Sequence, residues 1–170
     1  SVSFANDDSN ENPFDISLTG TVNAIGPAVL LIDDGDAGFS LTGSWTNVAN
    51  YGYGTPRDAK VASGSDGTKT ATWTFTGLTA GEYRIDATWL NGGDRATNAP
   101  YIFRNGSGAQ IGSVTVSHKV AASGATSDGG RPFQTLGTVN VTGTTLVVEL
   151  ANQGTNGAII ADAIRIERTG

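Results

Sequence analysis

The chain has 170 residues, of which 38% are hydrophobic, and a net charge of −6, so one domain with a sizeable core is expected. It contains neither cysteine nor methionine, which excludes disulfides, thiolate redox chemistry and zinc–thiolate sites. The acidic charge disfavours nucleic acid as a partner, and no apolar run reaches the roughly 18 residues that would predict insertion into a membrane.

The first predicted unit is an N-terminal arm, residues 1–22. Its second half alternates polar residues with Phe14, Ile16 and Leu18, which predicts a strand with one apolar face. Two short strands cannot bury a core alone. We therefore expect the arm either to be the end of a preceding repeat or to insert into the sheet of a neighbouring copy by strand donation through Phe14, Ile16 and Leu18.

The stretch VLLIDDGDAGFS (29–40) places three carboxylates directly after an apolar run. The run AVLLIDD predicts a short buried strand, and DDGD has the residues that favour a turn. Closely spaced carboxylates also supply oxygens to calcium, which takes six to eight of them. A catalytic pair is disfavoured, because adjacent Asp33 and Asp34 would point to opposite faces of a continuing strand.

Residues 43–69 are rich in glycine and predict an aromatic-dotted loop. Trp45, Tyr51 and Tyr53 lie in it. Exposed rings in such a loop could contact sugars, and the same rings could equally be packing landmarks.

Regular strands follow. In TATWTFTGL and YRIDATWL every second residue is apolar, which is typical of half-buried antiparallel strands, and Trp73 and Trp89 are predicted to lie in the core. Further strands are predicted at APYIFRN, IGSVTVSHK, LGTVNVTG, TTLVVELAN and AIIADAIRIER. This spacing predicts an all-β fold, an antiparallel β-sandwich of jelly-roll type over residues 23–168.

Asp162 shares its parity with Ile160, Ile164 and Ile166, so an unbroken strand would bury it. A buried carboxylate must be paired, hydrogen-bonded or bound to a metal. Asp162 is therefore predicted to bind a cation, to accept backbone N–H bonds, to pair with Arg57 or Arg95, or to turn outward at a bulge.

His118 is the only histidine, and no Ser, Asp or Cys can be tied to it by spacing. A lone strand histidine is more often packed than a general base. No catalytic residue is predicted, and the chain is not expected to be an enzyme.

Several landmarks together resemble the golvesin C-terminal-like domain over residues 30–168. They are LLIDDGDAGFS, GSW, YGYG, ATWTFTGLTAGEYRIDATW, DRATNAPY, LGT and IADAIRIE. The resemblance implies a galactose-binding-like β-sandwich without a recognised catalytic centre. It also implies that the acidic turn meets Asp162 where many such sandwiches hold structural calcium, so a calcium site at Asp34, Asp36 and Asp162 is predicted. Residues 1–22 resemble the last strand of a choice-of-anchor D type immunoglobulin-like repeat.

Two functions are consistent with these features. The first is a non-catalytic structural or adhesive module of a bacterial surface assembly, located outside the cell or on its surface. It would form filaments by strand donation, with neighbouring copies or sibling modules as partners. The second is a carbohydrate-binding module attached to a secreted enzyme or surface protein, which would bind polysaccharide through Trp45, Tyr51 and Tyr53. Calcium is the one cofactor predicted.

Overall fold

A computed structural model describes residues 29–170 and the backbone of residues 2–4 and 14–16. The regular structure in these ranges is entirely β-strand. Nothing in the described part of the chain forms a helix long and apolar enough to cross a bilayer. The all-β prediction is therefore confirmed.

The domain is built from two five-stranded antiparallel sheets. The first consists, from edge to edge, of β10 (Gln110–Val116), β9 (Ala99–Asn105), β13 (Thr145–Ala151), β7 (Thr70–Thr76) and β4 (Phe39–Thr42). The second consists of β11 (Thr126–Asp128), β12 (Arg131–Val141), β8 (Gly81–Ala87), β15 (Ile164–Arg168) and β3 (Val29–Ile32). A smaller sheet consists of β14 (Ile159–Ala161), β6 (Asp58–Ala62) and β5 (Thr46–Tyr53).

The core lies between the two large sheets and follows the predicted alternation. In β7, Ala71, Trp73 and Phe75 are at most 2% exposed, whereas the threonines between them are half-buried. Across the core, Tyr83 and Ile85 of β8 are buried as well. Inward-facing residues of two antiparallel sheets thus form the single hydrophobic layer of a β-sandwich.

The N-terminal strands form a separate two-stranded sheet, in which β1 (Val2–Phe4) pairs antiparallel with β2 (Phe14–Ile16). Leu18 and the predicted boundary between residues 22 and 23 lie outside the described residues. Strand donation by Phe14, Ile16 and Leu18 therefore stays a prediction.

Three local predictions are wrong. Residues 43–69 are not a loop throughout, because β5 and β6 pair there. The positive φ of Gly52 and a register shift between Ala49 and Tyr53 interrupt the alternation that would have revealed β5. The strand β3 is an edge strand in which only Ile32 is buried. The run AIIADAIRIER is not one strand, since it breaks at Asp162 and continues in a different sheet.

His118 lies two residues after the end of β10 and is fully buried, so it is a packed histidine. Its ring stacks on Trp89 with centroids 4.8 Å apart. Nδ1 accepts the backbone N–H of Ile160 (3.1 Å), and Nε2 lies 3.2 Å from the hydroxyl of Tyr101. Because Nδ1 accepts, the neutral ring carries its proton on Nε2, facing Tyr101. Burial, reinforced by the charge of Arg95, lowers the pKa of His118 to about 3.

We therefore expect His118 to stay neutral wherever the domain is folded. Since it is the only histidine, its Cε1–H resonance is unambiguous and should not shift between pH 8 and pH 5. The unfolded chain takes up this proton near pH 6.5, so the group's contribution to stability is complete above that pH and is lost as pH falls toward 3. A resonance that titrates near pH 6.5 in the folded protein would show that the ring is not sealed in the core.

Candidate functional site

Several of the loops that connect the strands lie together at one end of the sandwich. At this end β3 gives way to the turn 33–38, β5 turns into β6, β11 turns into β12, and the chain crosses from β14 to β15. The small sheet also lies at this end. Asp162, located at the break between β14 and β15, accepts a hydrogen bond from Tyr53 at the end of β5.

Asp162 fixes this end of the domain to the core. It is 2% exposed, and its Oδ1 accepts the backbone N–H of Tyr53 at 2.9 Å. Its backbone carbonyl accepts the indole N–H of the buried Trp73 at 3.0 Å. Of the alternatives raised by the sequence, acceptance of a backbone N–H bond is the one observed.

Burial raises the pKa of the Asp162 carboxyl to about 8. The hydrogen bond from Tyr53 opposes the shift, and the negative charges of Asp33 and Asp34 add to it. Asp33 is affected in the same way, because burial raises its pKa to about 6. We call the carboxyl groups of Asp33, Asp34 and Asp162 the acidic cluster. Because their pKa values are raised, these groups hold more protons near neutrality than free carboxyls would.

Asp34 is the least satisfied member of the acidic cluster. It is 3% exposed, and neither carboxylate oxygen accepts a hydrogen bond from a described residue. Lys60 Nζ lies at ion-pair distance, 3.1 Å from Oδ2, but without hydrogen-bonding geometry. The lysine donates instead to Asp58 (2.8 Å) and Asn47 (2.7 Å). Burial raises the pKa of Asp34, and the ammonium of Lys60 opposes the rise.

The predicted calcium ligands are placed unequally. Asp34 and Asp162 are buried, whereas Asp36 is exposed and its Oδ2 accepts the N–H of Asp33, closing the turn. No group of three or more acidic or histidine side chains among residues 29–170 is arranged to hold a metal ion. The six to eight oxygens that calcium requires are therefore not preformed. Calcium binding stays a prediction, and it requires Asp34 to exchange Lys60 for the cation.

Beside the acidic cluster is a cleft of about 170 Å³, the arginine cleft. Four glycines, one tyrosine and two arginines line it: Gly52, Tyr53, Gly54, Gly129, Gly130, Arg57 and Arg131. They come from the end of β5, the β5–β6 turn and the β11–β12 turn. The walls are thus largely backbone, and the charged groups are the two guanidinium groups.

Glycine is needed at the walls for two reasons. Gly129 and Gly130 form the two-residue turn between Asp128 and Arg131 with φ of 53° and 74°, the conformation of a type I′ hairpin. A Cβ at Gly129 would also meet the ring of Tyr53 at 2.9 Å. A Cβ at Gly54 would overlap the carboxylate of Asp33. Side chains at these positions would distort the cleft.

Tyr53 connects the acidic cluster to the arginine cleft. Its ring packs edge-on against Phe133, and its hydroxyl donates to the carboxylate of Asp128. Burial and this hydrogen bond raise the pKa of Tyr53 to about 12. The phenol is therefore neutral and held in place, which makes it a wall of the cleft rather than a mobile ring.

The other two aromatic residues proposed for sugar contact differ in exposure. Trp45 is half-buried, packs against the core and donates its indole N–H to the carbonyl of Thr42 (2.9 Å). Tyr51 is 56% exposed and precedes Tyr53 by two positions in β5. Of the three rings, Tyr51 therefore has the largest face available to a ligand.

Arg57 and Arg131 are not predicted as a joint site by the sequence, because nothing in the spacing brings them together. The sequence predicts Arg57 only as one alternative partner of Asp162. The signal that was present is SDGGR (127–131), in which two glycines between short strands predict a tight hairpin. A second cleft, of about 360 Å³, lies at the opposite end of the sandwich and is lined by uncharged side chains of residues 105–107 and 142–145.

The model of the Golvesin C-terminal domain family matches residues 30–168. The chain therefore belongs to this family, and the resemblance drawn from the sequence is confirmed. A search of curated proteins gave no match.

Solved structures share the fold. A Paenibacillus xanthan lyase is 24% identical with a TM-score of 0.69, over 84% of this chain and 13% of that one. CBM35 from Cellvibrio japonicus Abf62 is 17% identical with a TM-score of 0.56, over 84% and 93% of the two chains. Xyl-CBM35, solved with a glucuronic acid containing disaccharide, is 21% identical with a TM-score of 0.50, over 83% and 93%. This chain thus spans about 13% of the lyase and nearly the whole of each binding module.

Replacing Asp162 by Asn should make stability less dependent on pH. With its pKa at about 8 instead of 3.8, the folded state keeps a proton that the unfolded chain loses, so this carboxyl costs stability progressively as pH rises from about 4 to 8. Asn cannot ionise and still accepts the Tyr53 N–H. We expect urea unfolding in EDTA to show that, as pH rises, the free energy of unfolding of the variant increases relative to that of the wild type by at most about 1.4 kcal/mol per pH unit.

Asp36→Asn is the matched control, because Asp36 is exposed and its turn bond survives in the amide. It should leave the pH slope unchanged. Parallel stability curves for wild type and Asp162→Asn would contradict the shifted pKa.

The calcium hypothesis predicts a melting temperature that rises with calcium and falls with EDTA. A ligand at 100 times its dissociation constant adds about 2.7 kcal/mol of stability. Asp162→Asn should abolish the calcium-dependent rise. Equal melting temperatures of the wild type in calcium and in EDTA would end the hypothesis.

Proposed function

We propose that this domain is a non-catalytic carbohydrate-binding module whose saccharide site is the arginine cleft. The observation that carries the proposal is a polar cleft with largely backbone walls at one end of a sandwich, with an exposed tyrosine in the strand that leads into it. Ligand sites are concave, preformed and supplied with a few oriented polar groups. The arginine cleft has these properties.

The relatives support this proposal. Two of the solved structures are carbohydrate-binding modules that this fold matches over 93% of their length. The Paenibacillus xanthan lyase is named for an enzyme of polysaccharide breakdown, and this domain corresponds to a small part of it. These relatives favour saccharide binding over a polymerising surface module. A binder of polysaccharide meets its ligand outside the cell, so we propose an extracellular or cell-surface location.

The acidic cluster supports a non-catalytic role. Glycoside hydrolysis needs two carboxyl groups that face a bound sugar from either side. Asp162 is buried and bound to the backbone of Tyr53, and Asp34 is buried beside Lys60. Asp128 accepts the hydroxyl of Tyr53. Asp162 and Asp128 thus hold Tyr53, a wall of the cleft, in place.

Polysaccharide binding should be detectable and should depend on Tyr51. Native gels cast with soluble polysaccharides should retard the full chain in at least one gel. Tyr51→Ala should weaken that retardation about 3- to 10-fold, because one aromatic contact contributes roughly 0.5–1.5 kcal/mol. The ring is 56% exposed, so the melting temperature should not change.

Val29→Ala is the matched control for loss of an exposed apolar side chain. Val29 is 39% exposed and pairs with Glu167, away from the cleft. The Val29→Ala variant should bind polysaccharide as tightly as the wild type. Failure of every polysaccharide to retard the wild type would refute the proposal.

A further inference from the structure

We infer that the arginine cleft selects an acidic sugar, a uronate whose C6 carboxylate is bound jointly by Arg57 and Arg131. The inference rests on the proposed saccharide site and adds the chemical class of the sugar. Three features of the cleft support it: two guanidinium groups that form no ion pair with a described residue, uncharged backbone walls and carboxylates already engaged elsewhere.

The two arginines are available to a ligand. Ion pairs among the described residues engage four other arginines: Arg84, Arg95, Arg104 and Arg165. Arg168, at the end of β15, instead donates to the carbonyl of Ala80. Arg57 and Arg131 form no ion pair with the described residues. Arg57 is exposed at the β5–β6 turn and Arg131 is half-buried at the start of β12. Two cations brought into one small cleft, without an acidic partner in the part of the chain that the structure describes, form a site for an anion.

Arginine is suited to a carboxylate in geometry as well as charge. Its planar guanidinium presents parallel N–H donors that match the two oxygens of a carboxylate, and such charge-assisted bonds are about twice as strong as neutral ones. The glycine walls add backbone groups within reach of a sugar ring, since Gly130 has no atom within 4 Å of where its Cβ would lie. A neutral hexose would use the walls and could accept hydrogen bonds through its hydroxyls, but it would leave both arginines without an anionic partner.

The nearby carboxylates are engaged by the protein. Asp128 accepts the hydroxyl of Tyr53, Asp162 accepts the backbone N–H of Tyr53, and Asp33 accepts the N–H of Asp34 (2.9 Å). The carboxylate of Asp33 lies against the Gly54 backbone, and the charge of Arg131 partly offsets that of Asp162, whereas both arginines line the cleft itself. An incoming carboxylate therefore meets the guanidinium groups first.

The size of the cleft suits a single sugar unit. Its volume of about 170 Å³ is below the roughly 300–1,000 Å³ of pockets that enclose drug-sized ligands. The second cleft, about twice as large, is lined by asparagine, serine, threonine and glycine and offers no cation. Of the two clefts, only the arginine cleft is therefore expected to prefer acidic sugars.

The test compares matched acidic and neutral saccharides on the full chain. Isothermal titration is performed with polygalacturonate and with the same polymer fully methyl-esterified, and with D-glucuronate, D-galacturonate and D-glucose. We expect the acidic member of each set to bind more than tenfold more tightly, and added NaCl to weaken that binding. The two free uronates separate a preference for one C4 epimer from recognition of the carboxylate.

Arg57→Gln and Arg131→Gln should each weaken uronate binding about tenfold or more and should weaken the binding of neutral saccharides much less. Arg131→Lys keeps the positive charge but loses the planar pair of N–H donors. Its affinity for uronates should therefore lie between those of the wild type and Arg131→Gln. Lys119→Gln is the charge-matched control, since Lys119 is exposed and does not line the cleft. Melting temperatures of all variants establish that they fold.

The outcomes separate the two proposals. Uronate binding lost in the two arginine variants and kept in Lys119→Gln supports the inference. Equal affinity for acidic and neutral saccharides, or uronate binding that survives both arginine substitutions, overturns the inference and leaves the module a carbohydrate binder. Absence of binding to every saccharide, acidic or neutral, overturns the proposed function itself.

Discussion

The arrangement of this domain depends on one buried carboxyl, that of Asp162. The chain leaves the small sheet at Ala161 and enters a large sheet at Ile164, so the backbone between them needs partners that no regular ladder supplies. The carbonyl of Asp162 accepts the Trp73 indole N–H and that of Ala163 accepts the N–H of Thr88. The Asp162 side chain in turn accepts the Tyr53 N–H. Leaving such buried groups unpaired would cost about 1–3 kcal/mol each. The residue thus joins the core of the sandwich to the loops that form the site.

Tyr53 links Asp162 to the arginine cleft. With its N–H bound to Asp162 and its hydroxyl bound to Asp128, Tyr53 is held at both ends. The type I′ turn at Gly129–Gly130 packs on its ring, which positions Arg131. The cleft is therefore preorganised by buried bonds, and a preorganised site loses less conformational entropy when it binds.

The sequence was sufficient for the fold and insufficient for the site, for physical reasons. Period-two alternation such as that of Ala71, Trp73 and Phe75 reports burial directly, and the family landmarks confirmed the sandwich. Strand β5 was missed because Gly52 adopts a positive φ and a register shift disrupts the alternation. The break at Asp162 was missed because apolar residues continue on both sides of it. Arg57 and Arg131 carry no periodic signal, and only the tertiary packing of two distant turns brings them to one cleft.

The most direct test of the account locates the saccharide on the protein. Backbone amide resonances of the uniformly ¹⁵N-labelled chain would be followed during titration with a glucuronic acid containing disaccharide. Binding at the arginine cleft predicts that the largest shifts fall at Gly52, Gly54 and Arg57 and at the turn Gly129–Arg131. Shifts confined to the second cleft, at residues 105–107 and 142–145, would contradict it and place saccharide binding at the opposite end of the sandwich.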